Sequence, residues 1–414
     1  MRLISRLATV VLTTLSASAA FALNPSVSLT FFGEARLPVD SIFGGTRIGG
    51  LSGIEYDVAN NRYFAVSDAR NQNAEQTPAR FYTLNIGSLE DGLSNADVNA
   101  GTFTAVTEIR PSPGNSFPAL SLDPEDIVFD PTAPGSVFIS SEGDRNNNVN
   151  PFINRFDIAT GVQNDALPIP ARFLINGAGA GSGIRNNLAF ESLTVTPNGT
   201  LVTATENALT QDGLPTDQFN PNVRSTSRLL TYNLATQVAG AEYVYEVEPL
   251  AQLPNPANQF ATNGLVDLLA LSDTKFLSIE RSFAVGALGT GGTGNIIRIF
   301  EIDITGATDV SGIDDLDAFV GTIIPVQKTL VFDLNSITTP GFATDNIEGV
   351  TFGQNFADGS QSLILVSDDN FSDVQFTQFA AFKVTVVPEA GTATLVVPGL
   401  LTLVGGLSVL RRRK

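Results

Sequence analysis

Apolar and polar positions alternate with a period of two along most of this chain, and helical spacing is nearly absent. Five heptads share one pattern, in which alternating apolar residues close on a hydroxyl or apolar residue and then an acid. They are RYFAVSD (62–68), SVFISSE (136–142), TLVTATE (200–206), TKFLSIE (274–280) and SLILVSD (362–368). Each predicts a half-buried strand. A second strand is predicted upstream of each heptad, at SGIEYD (52–57), EDIVFD (125–130), ESLTVT (191–196), DLLALS (267–272) and EGVTFG (348–353). A third follows downstream, at RFYTLNI (80–86), FINRFDI (152–158), RLLTYNL (228–234), IIRIFEI (296–302) and QFAAFKV (378–384). Four units also predict a fourth, outer strand, around 103–109, 171–175, 243–247 and 329–334.

The upstream strands begin at Ser52, Glu125, Glu191, Asp267 and Glu348, spaced by 73, 66, 76 and 81 residues. Four antiparallel strands repeated at such a period predict a β-propeller. The fifth unit lacks an outer strand, and the segment from Val27 to Leu37 has no unit of its own, so it would fill that gap and close the ring. The expected fold is all-β, a propeller of four-stranded antiparallel blades, five by this count and six if 305–334 hides a degenerate unit. It forms one domain, 23–387, since a closed ring cannot be divided.

This topology places chemistry at one rim. In an antiparallel pair the start of the inner strand and the end of the next lie at the same sheet edge. Two acid columns therefore meet around the central channel: Glu125, Glu191, Asp267 and Glu348 on the inner strands, and Asp68, Glu142, Glu206, Glu280 and Asp368 on the second strands. So many carboxylates cannot all stay ionised close together unless cations join them. Calcium suits the site because it accepts carboxylate, amide and carbonyl oxygens in flexible sets. The following loops add Asn71, Asn73, Asp144, Asn146, Asn148, Asn207, Asp369 and Asn370. The stretch Asp144-x-Asn146-x-Asn148 half matches a calcium loop, with Val149 in place of the turn glycine and Arg155 in place of the bidentate glutamate. Arg70, Arg145 and Arg281 stand on the same loops, either to grip an anionic substrate or to neutralise the acids. Isolated turn-capping acids with no common site are the third reading.

Composition narrows the chemistry. The 414 residues include no His, no Cys and no Trp. Triads built on imidazole or thiolate, and zinc sites of the usual nitrogen or sulfur kind, are excluded. Carboxylate, hydroxyl, amide and guanidinium groups remain, and without disulfides the core alone must hold the fold. Residues 23–387 carry 41 acids against 17 bases, a net of −24, so nucleic acid is not an expected partner. The glycine-rich run 286–294 lacks a P-loop lysine and predicts a hairpin loop, and Gly177 to Gly183 predicts a flexible loop beside the rim.

Both ends look like processing segments. Met1 to Ala22 has Arg2 and Arg6, an apolar run from Leu7 to Leu15 and a terminal Ala20-Phe21-Ala22, the pattern of a cleaved export signal. Residues 393–410 carry no charge and are followed by Arg411, Arg412, Arg413 and Lys414, a predicted transmembrane segment with a cytoplasmic basic end. With Val387-Pro388-Glu389 ahead of it, the tail 388–414 resembles the bacterial PEP-CTERM sorting signal, apart from Ala390 where that family usually repeats proline. The resemblance implies an exosortase-type sorting protease as partner, transient anchoring in the inner membrane through the tail alone, and a final location at the cell surface or outside the cell. A plain C-terminal anchor is the other reading.

The stretches LSGIEYDVANNRYFAVSD, DPEDIVFDPTAPGSVFISSEGDRN, NNLAFESLTVTPNGTLVTATENAL, NGLVDLLALSDTKFLSIERSF and DNIEGVTFGQNFADGSQSLILVSDDNFS resemble, in order, the repeats of the phytase-like domain family over about residues 45–385. Members of that family are described as having an esterase-like activity. The resemblance implies a propeller whose rim acids bind calcium and a phosphoester. On this reading the protein is an exported, monomeric, calcium-dependent phosphoester or ester hydrolase acting on a small anionic or ester substrate. Asp68, Glu125, Glu142, Asp267, Glu280, Glu348, Asp368 and Asp369 are the expected metal ligands, Glu191 or Glu206 the base, and Arg145 or Arg281 the groups that stabilise charge on the transferring group. The alternative is a non-catalytic propeller at the cell surface or in the extracellular matrix, binding calcium or a sugar.

Overall fold

The computed structural model describes residues 25–387, and the proposed export signal and sorting tail lie outside them. The strands, in chain order, build five four-stranded antiparallel sheets arranged as the blades of a ring. The first strand, β1 (Val27–Arg36), is followed by a short hairpin, β2 (Ile42–Phe43) and β3 (Thr46–Arg47). Blade 1 comprises β4 (Leu51–Asp57), β5 (Arg62–Ser67), β6 (Arg80–Leu84) and β7 (Phe103–Glu108). Blade 2 comprises β8 (Pro124–Phe129), β9 (Ser136–Ser141), β10 (Phe152–Asp157) and β11 (Gln163–Ala166). Blade 3 comprises β12 (Phe190–Val195), β13 (Thr200–Thr205), β14 (Ser225–Asn233) and β15 (Val238–Val247). Blade 4 comprises β16 (Ala261–Ala270), β17 (Lys275–Ala284), β18 (Asn295–Asp303) and β19 (Gln327–Asp333). Blade 5 comprises β20 (Asn346–Asn355), β21 (Gln361–Asp368) and β22 (Gln378–Val386), with β1 as its outer strand.

That last pairing closes the ring, with Val27 opposite Val386 and Arg36 opposite Gln378. Five apolar layers fill the five gaps between blades. Ile127 and Val137 pack on Phe64 and Phe81 between blades 1 and 2, for example, and Leu265 and Phe276 pack on Val202 and Tyr245 between blades 3 and 4. Burying these faces is the main drive for ring formation in a chain that has no disulfide.

Two expectations need correction. The outer strand of blade 2 is Gln163–Ala166, not 171–175, where Ala171–Phe173 instead forms a short 3₁₀ turn that buries Phe173. The true strand reads Gln-Asn-Asp-Ala, with every residue half-buried or exposed, so it has no apolar alternation to announce it. The stretch 305–334 contains no sixth blade. It supplies β19 and a loop whose Val310 and Leu316 pack on Val244 of blade 3.

Candidate functional site

Each inner strand carries a β-bulge at the same place, between Leu51 and Gly53, Pro124 and Ile127, Phe190 and Ser192, Leu265 and Asp267, and Ile347 and Gly349. A bulge inserts one unpaired residue and re-aims the side chains around it. The equivalent bulged residues are Ser52, Glu125, Glu191, Val266 and Glu348. The register aligns the second strands as Asp68, Glu142, Glu206, Arg281 and Asp368. Blade 4 is thus one residue out of step with the heptad pattern. Glu280 pairs with Leu265, as Ser67 pairs with Leu51, and it is Arg281 that occupies the acid position.

A slip of one residue turns a side chain to the other face of a strand. Glu280 accordingly leaves the channel and accepts hydrogen bonds from Tyr245 Oη (2.8 Å), Asn263 Nδ2 (3.0 Å) and the Glu248 amide (3.2 Å), and it pairs with Lys328. Asp267 falls one position past the bulge, level with Asp126. The two carboxyls hydrogen-bond each other below the rim, and Asp267 Oδ2 also accepts from the Val350 amide at 2.6 Å. Neither Glu280 nor Asp267 joins the rim cluster. Asp369 is committed elsewhere too, accepting from the Gly50 amide (2.9 Å) and pairing with buried Arg47 (3.3 Å). Arg145 points away from the acids, donating to the carbonyls of Gly181, Ser182 and Ile184, and so it pins the 177–183 loop. Asp144 closes a tight turn with Val149 and holds Asn147 and Arg70, which explains the half-matched calcium pattern as turn chemistry.

The remaining acids do converge. Asp123, Glu125 and Glu142 present carboxylate oxygens within 4.8 Å of one another, and so do Glu142, Glu191 and Glu206, so Glu142 belongs to both groups. All five residues are buried. Asp68, Glu348 and Asp368 continue the arc on the other side, where Asn346 Nδ2 donates to Glu348 (2.9 Å) and Asp368 (3.2 Å). Arg281 bridges Glu206 (3.1 Å) and Glu348, and Arg70 reaches Asp123 at 3.1 Å from the edge. Asp123 and Asn346 had no place in the expected columns. They precede the bulges, outside the repeated pattern, although the acid run Asp123-Pro-Glu-Asp126 is visible in the sequence.

Burial dominates the electrostatics. It raises Asp68, Asp123, Glu125, Glu191 and Asp368 well above the ordinary carboxylate range, and neighbouring carboxylates push in the same direction. Glu142 and Glu206 are raised to about 7, the latter held down by Arg281. Two carboxylates under 5 Å apart repel by roughly 3–4 kcal/mol at an effective dielectric near 20. Three in one group therefore approach the whole stability of a domain, about 5–15 kcal/mol. Glu142 and Glu191 touch carboxyl to carboxyl, which requires either a proton on one of them or a cation between them. Glu142 Oε2 and Asp68 Oδ1 are buried and have no hydrogen-bond donor among the described residues. Clustered hard oxygens with unsatisfied lone pairs fit a divalent cation such as calcium.

A cleft of about 1170 Å³ opens onto this rim, and Glu206, Arg281 and Asn346 lie at its base. Glu191, with no place in the lining of the cleft, sits behind Glu206. The model of the phytase-like family, described as esterase-like activity of phytase, matches residues 46–371, from just before blade 1 to just past the end of β21. The chain belongs to the phytase-like family. No curated protein matches this phytase-like chain. Solved structures similar to it are found at low identity. One is the endo-arabinase from Bacteroides thetaiotaomicron, 12% identical with a TM-score of 0.41, covering 86% of this chain and 98% of that one. Another is an alpha-L-arabinofuranosidase from Podospora anserina, 9% identical with a TM-score of 0.42, covering 86% and 97%. A luciferin-regenerating enzyme is 12% identical with a TM-score of 0.36, covering 82% and 94%. Among the described residues no helix is long and apolar enough to cross a membrane.

Proposed function

We propose that this phytase-like propeller is a calcium-dependent hydrolase of phosphoesters or related esters, acting at the acidic rim. The observation that carries the reading is the pair of buried three-carboxylate groups joined through Glu142, with an open cleft ending on one member, Glu206. Asp123, Glu125, Glu142 and Glu191 would hold the cation, which supplies positive charge against the ester oxygens when bound. Glu206 is raised to about 7 by burial and lines the cleft, so it is the base matched to neutral pH. Arg281 orients Glu206 through its bond at 3.1 Å and offers the one guanidinium at the cleft base to an anionic group. Family membership supports an esterase-like activity. The same proposal has the chain exported and sorted through the features at its two ends.

The test is a melting experiment in calcium and in chelator, paired with turnover of a chromogenic phosphoester. Binding at a thousandfold excess over Kd raises stability by about 4 kcal/mol, about 5 °C for a domain of this size. A rise of that order, with turnover abolished by Glu206→Gln, is expected. A rise without turnover of any ester favours the non-catalytic surface propeller. No rise removes the metal from the mechanism.

A further inference from the structure

The walls of the cleft differ in character from its base. Phe260 stands just ahead of β16 and exposes 58% of its surface, and it leans on Phe283 of β17 with ring centroids 6.0 Å apart. Phe376, between β21 and β22, lies under the Arg36 guanidinium at 4.4 Å. All three rings line the cleft. A phenylalanine that exposed at the mouth of a cleft leaves apolar surface that a ligand can cover.

Cationic groups in the same lining are few. Among the described residues Arg36 and Arg281 are its only bases, and both are already engaged, Arg36 by Glu34 and Arg281 by Glu206 and Glu348. Glu206, Asp217 and Asp345 also face the cleft. A substrate bearing many phosphates would meet carboxylates where it needs guanidinium forks. A substrate with one anionic head would need only Arg281 and a bound cation, leaving the aromatic walls for the rest of the molecule.

Building on the hydrolase reading, we infer that the substrate is an amphiphile: a single ester-linked anionic head on an aromatic or similarly apolar body, seated between Phe260 and Phe376. The apolar body is recognised by contact area, which is worth on the order of 10- to 100-fold in affinity for a ring system. Polyphosphorylated polyols are disfavoured by the same lining.

The test measures binding in calcium of 1-naphthyl phosphate, methyl phosphate and inositol hexakisphosphate, by titration calorimetry on the whole domain. The expected result is naphthyl phosphate binding 10- to 100-fold tighter than methyl phosphate, with the advantage cut to about threefold or less by Phe260→Ala and methyl phosphate unaffected. Phe376→Ala serves as the second variant, and an unchanged melting temperature confirms that each variant is folded. Equal binding of the two monoesters, tightest binding of the hexakisphosphate, or indifference to both variants overturns the inference. Turnover is scored separately. A naphthyl preference without turnover sinks the hydrolase reading alone, whereas turnover without preference sinks the amphiphile alone.

Discussion

Arg281 is the one cation in a ring position that the other four blades fill with an acid, and its removal should be felt at once. In Arg281→Met the carboxylates of Glu206 and Glu348 lose a shared partner in a buried site, where Arg281 and its two partners are 12%, 1% and 9% exposed. Breaking a buried pair from one side costs about 3–5 kcal/mol. Unfolding entropy is about 2.1 cal/mol/K per residue, or about 0.75 kcal/mol/K for a domain of this size, so Tm in chelator at pH 8 should fall by about 4–7 °C. The loss should depend on pH in a definite direction. Glu206 is raised from 4.5 to about 7, so below 7 it takes up a proton instead of standing as an unpaired charge. One pH unit is worth about 1.4 kcal/mol for a single group. Between pH 8 and 7 the variant holds a proton on Glu206 that the wild type does not, so by pH 5.5 the penalty should shrink by about 1.4 kcal/mol, leaving a loss of about 2–5 °C. Arg281→Lys keeps the charge and should lose less than the methionine variant at pH 8. The assay is calorimetry or circular dichroism at both pH values with chelator present. Equal losses at the two pH values, or a lysine variant as unstable as the methionine one, would refute the claim that Arg281 acts as counter-charge.

The metal-free protein should itself gain stability on acidification. A carboxyl whose folded value is raised, as for Glu142 and Glu206 from 4.5 to about 7, contributes fully below pH about 4.5 and loses that contribution as pH rises through 7, so Tm in chelator should climb from pH 8 toward pH 5. Glu142→Gln removes the residue common to both acid groups and should abolish the calcium-dependent rise in Tm, as differential scanning in calcium and chelator would show. Asp369→Asn and Asp267→Asn should leave that rise intact, although the first loosens Gly50 and Arg47 and lowers Tm by itself. A Cβ at Gly264 would overlap the Glu206 side chain, so Gly264→Ala should cost about 1–3 kcal/mol and most of the turnover, measured as Tm and kcat, while leaving the calcium group around Glu125 bound.

The propeller was legible because its signal is redundant. Period-two alternation recurs in every blade, and an error in one strand cannot change the count. Closure by Val27–Arg36 followed from a strand with no unit of its own pairing a unit with no outer strand. The outer strand of blade 2 was not legible, since Gln163–Ala166 touches no core and so carries no apolar code. Individual site residues were harder for a related reason. Asp68, Glu125, Glu142, Glu191, Glu206, Glu348 and Asp368 meet at the rim, because the column rule holds where the repeat is in register. The heptad TKFLSIE matches the pattern in composition while standing one residue out of phase, and only pairing geometry shows that Ile279 takes the place of Val66 and Val366. Glu280 and Asp267 were misplaced by that single slip.

The slip also gives the site its polarity. Five equivalent acids around a channel would make a symmetric ring of charge, able to hold cations but unable to orient a substrate. Blade 4 breaks the symmetry twice, putting Arg281 in the acid position and apolar Val266 at the bulge, where it packs into the layer between blades 4 and 5. The two three-carboxylate groups lie on blades 2 and 3, and the guanidinium faces them from blade 4 beside Asn346 of blade 5. A cation held on the first side and Arg281 on the second would bracket one anionic group, and the cleft, lined from blades 3, 4 and 5, meets that pair at Glu206 and Arg281. Glu206 lies between the two, 3.1 Å from Arg281 and grouped with Glu142 and Glu191, so on the proposed mechanism the bound cation and Arg281 would both tune its affinity for a proton. On the proposed mechanism, the departure from the repeat that misleads a reading of the sequence would be the feature that turns an acidic pore into a directional site.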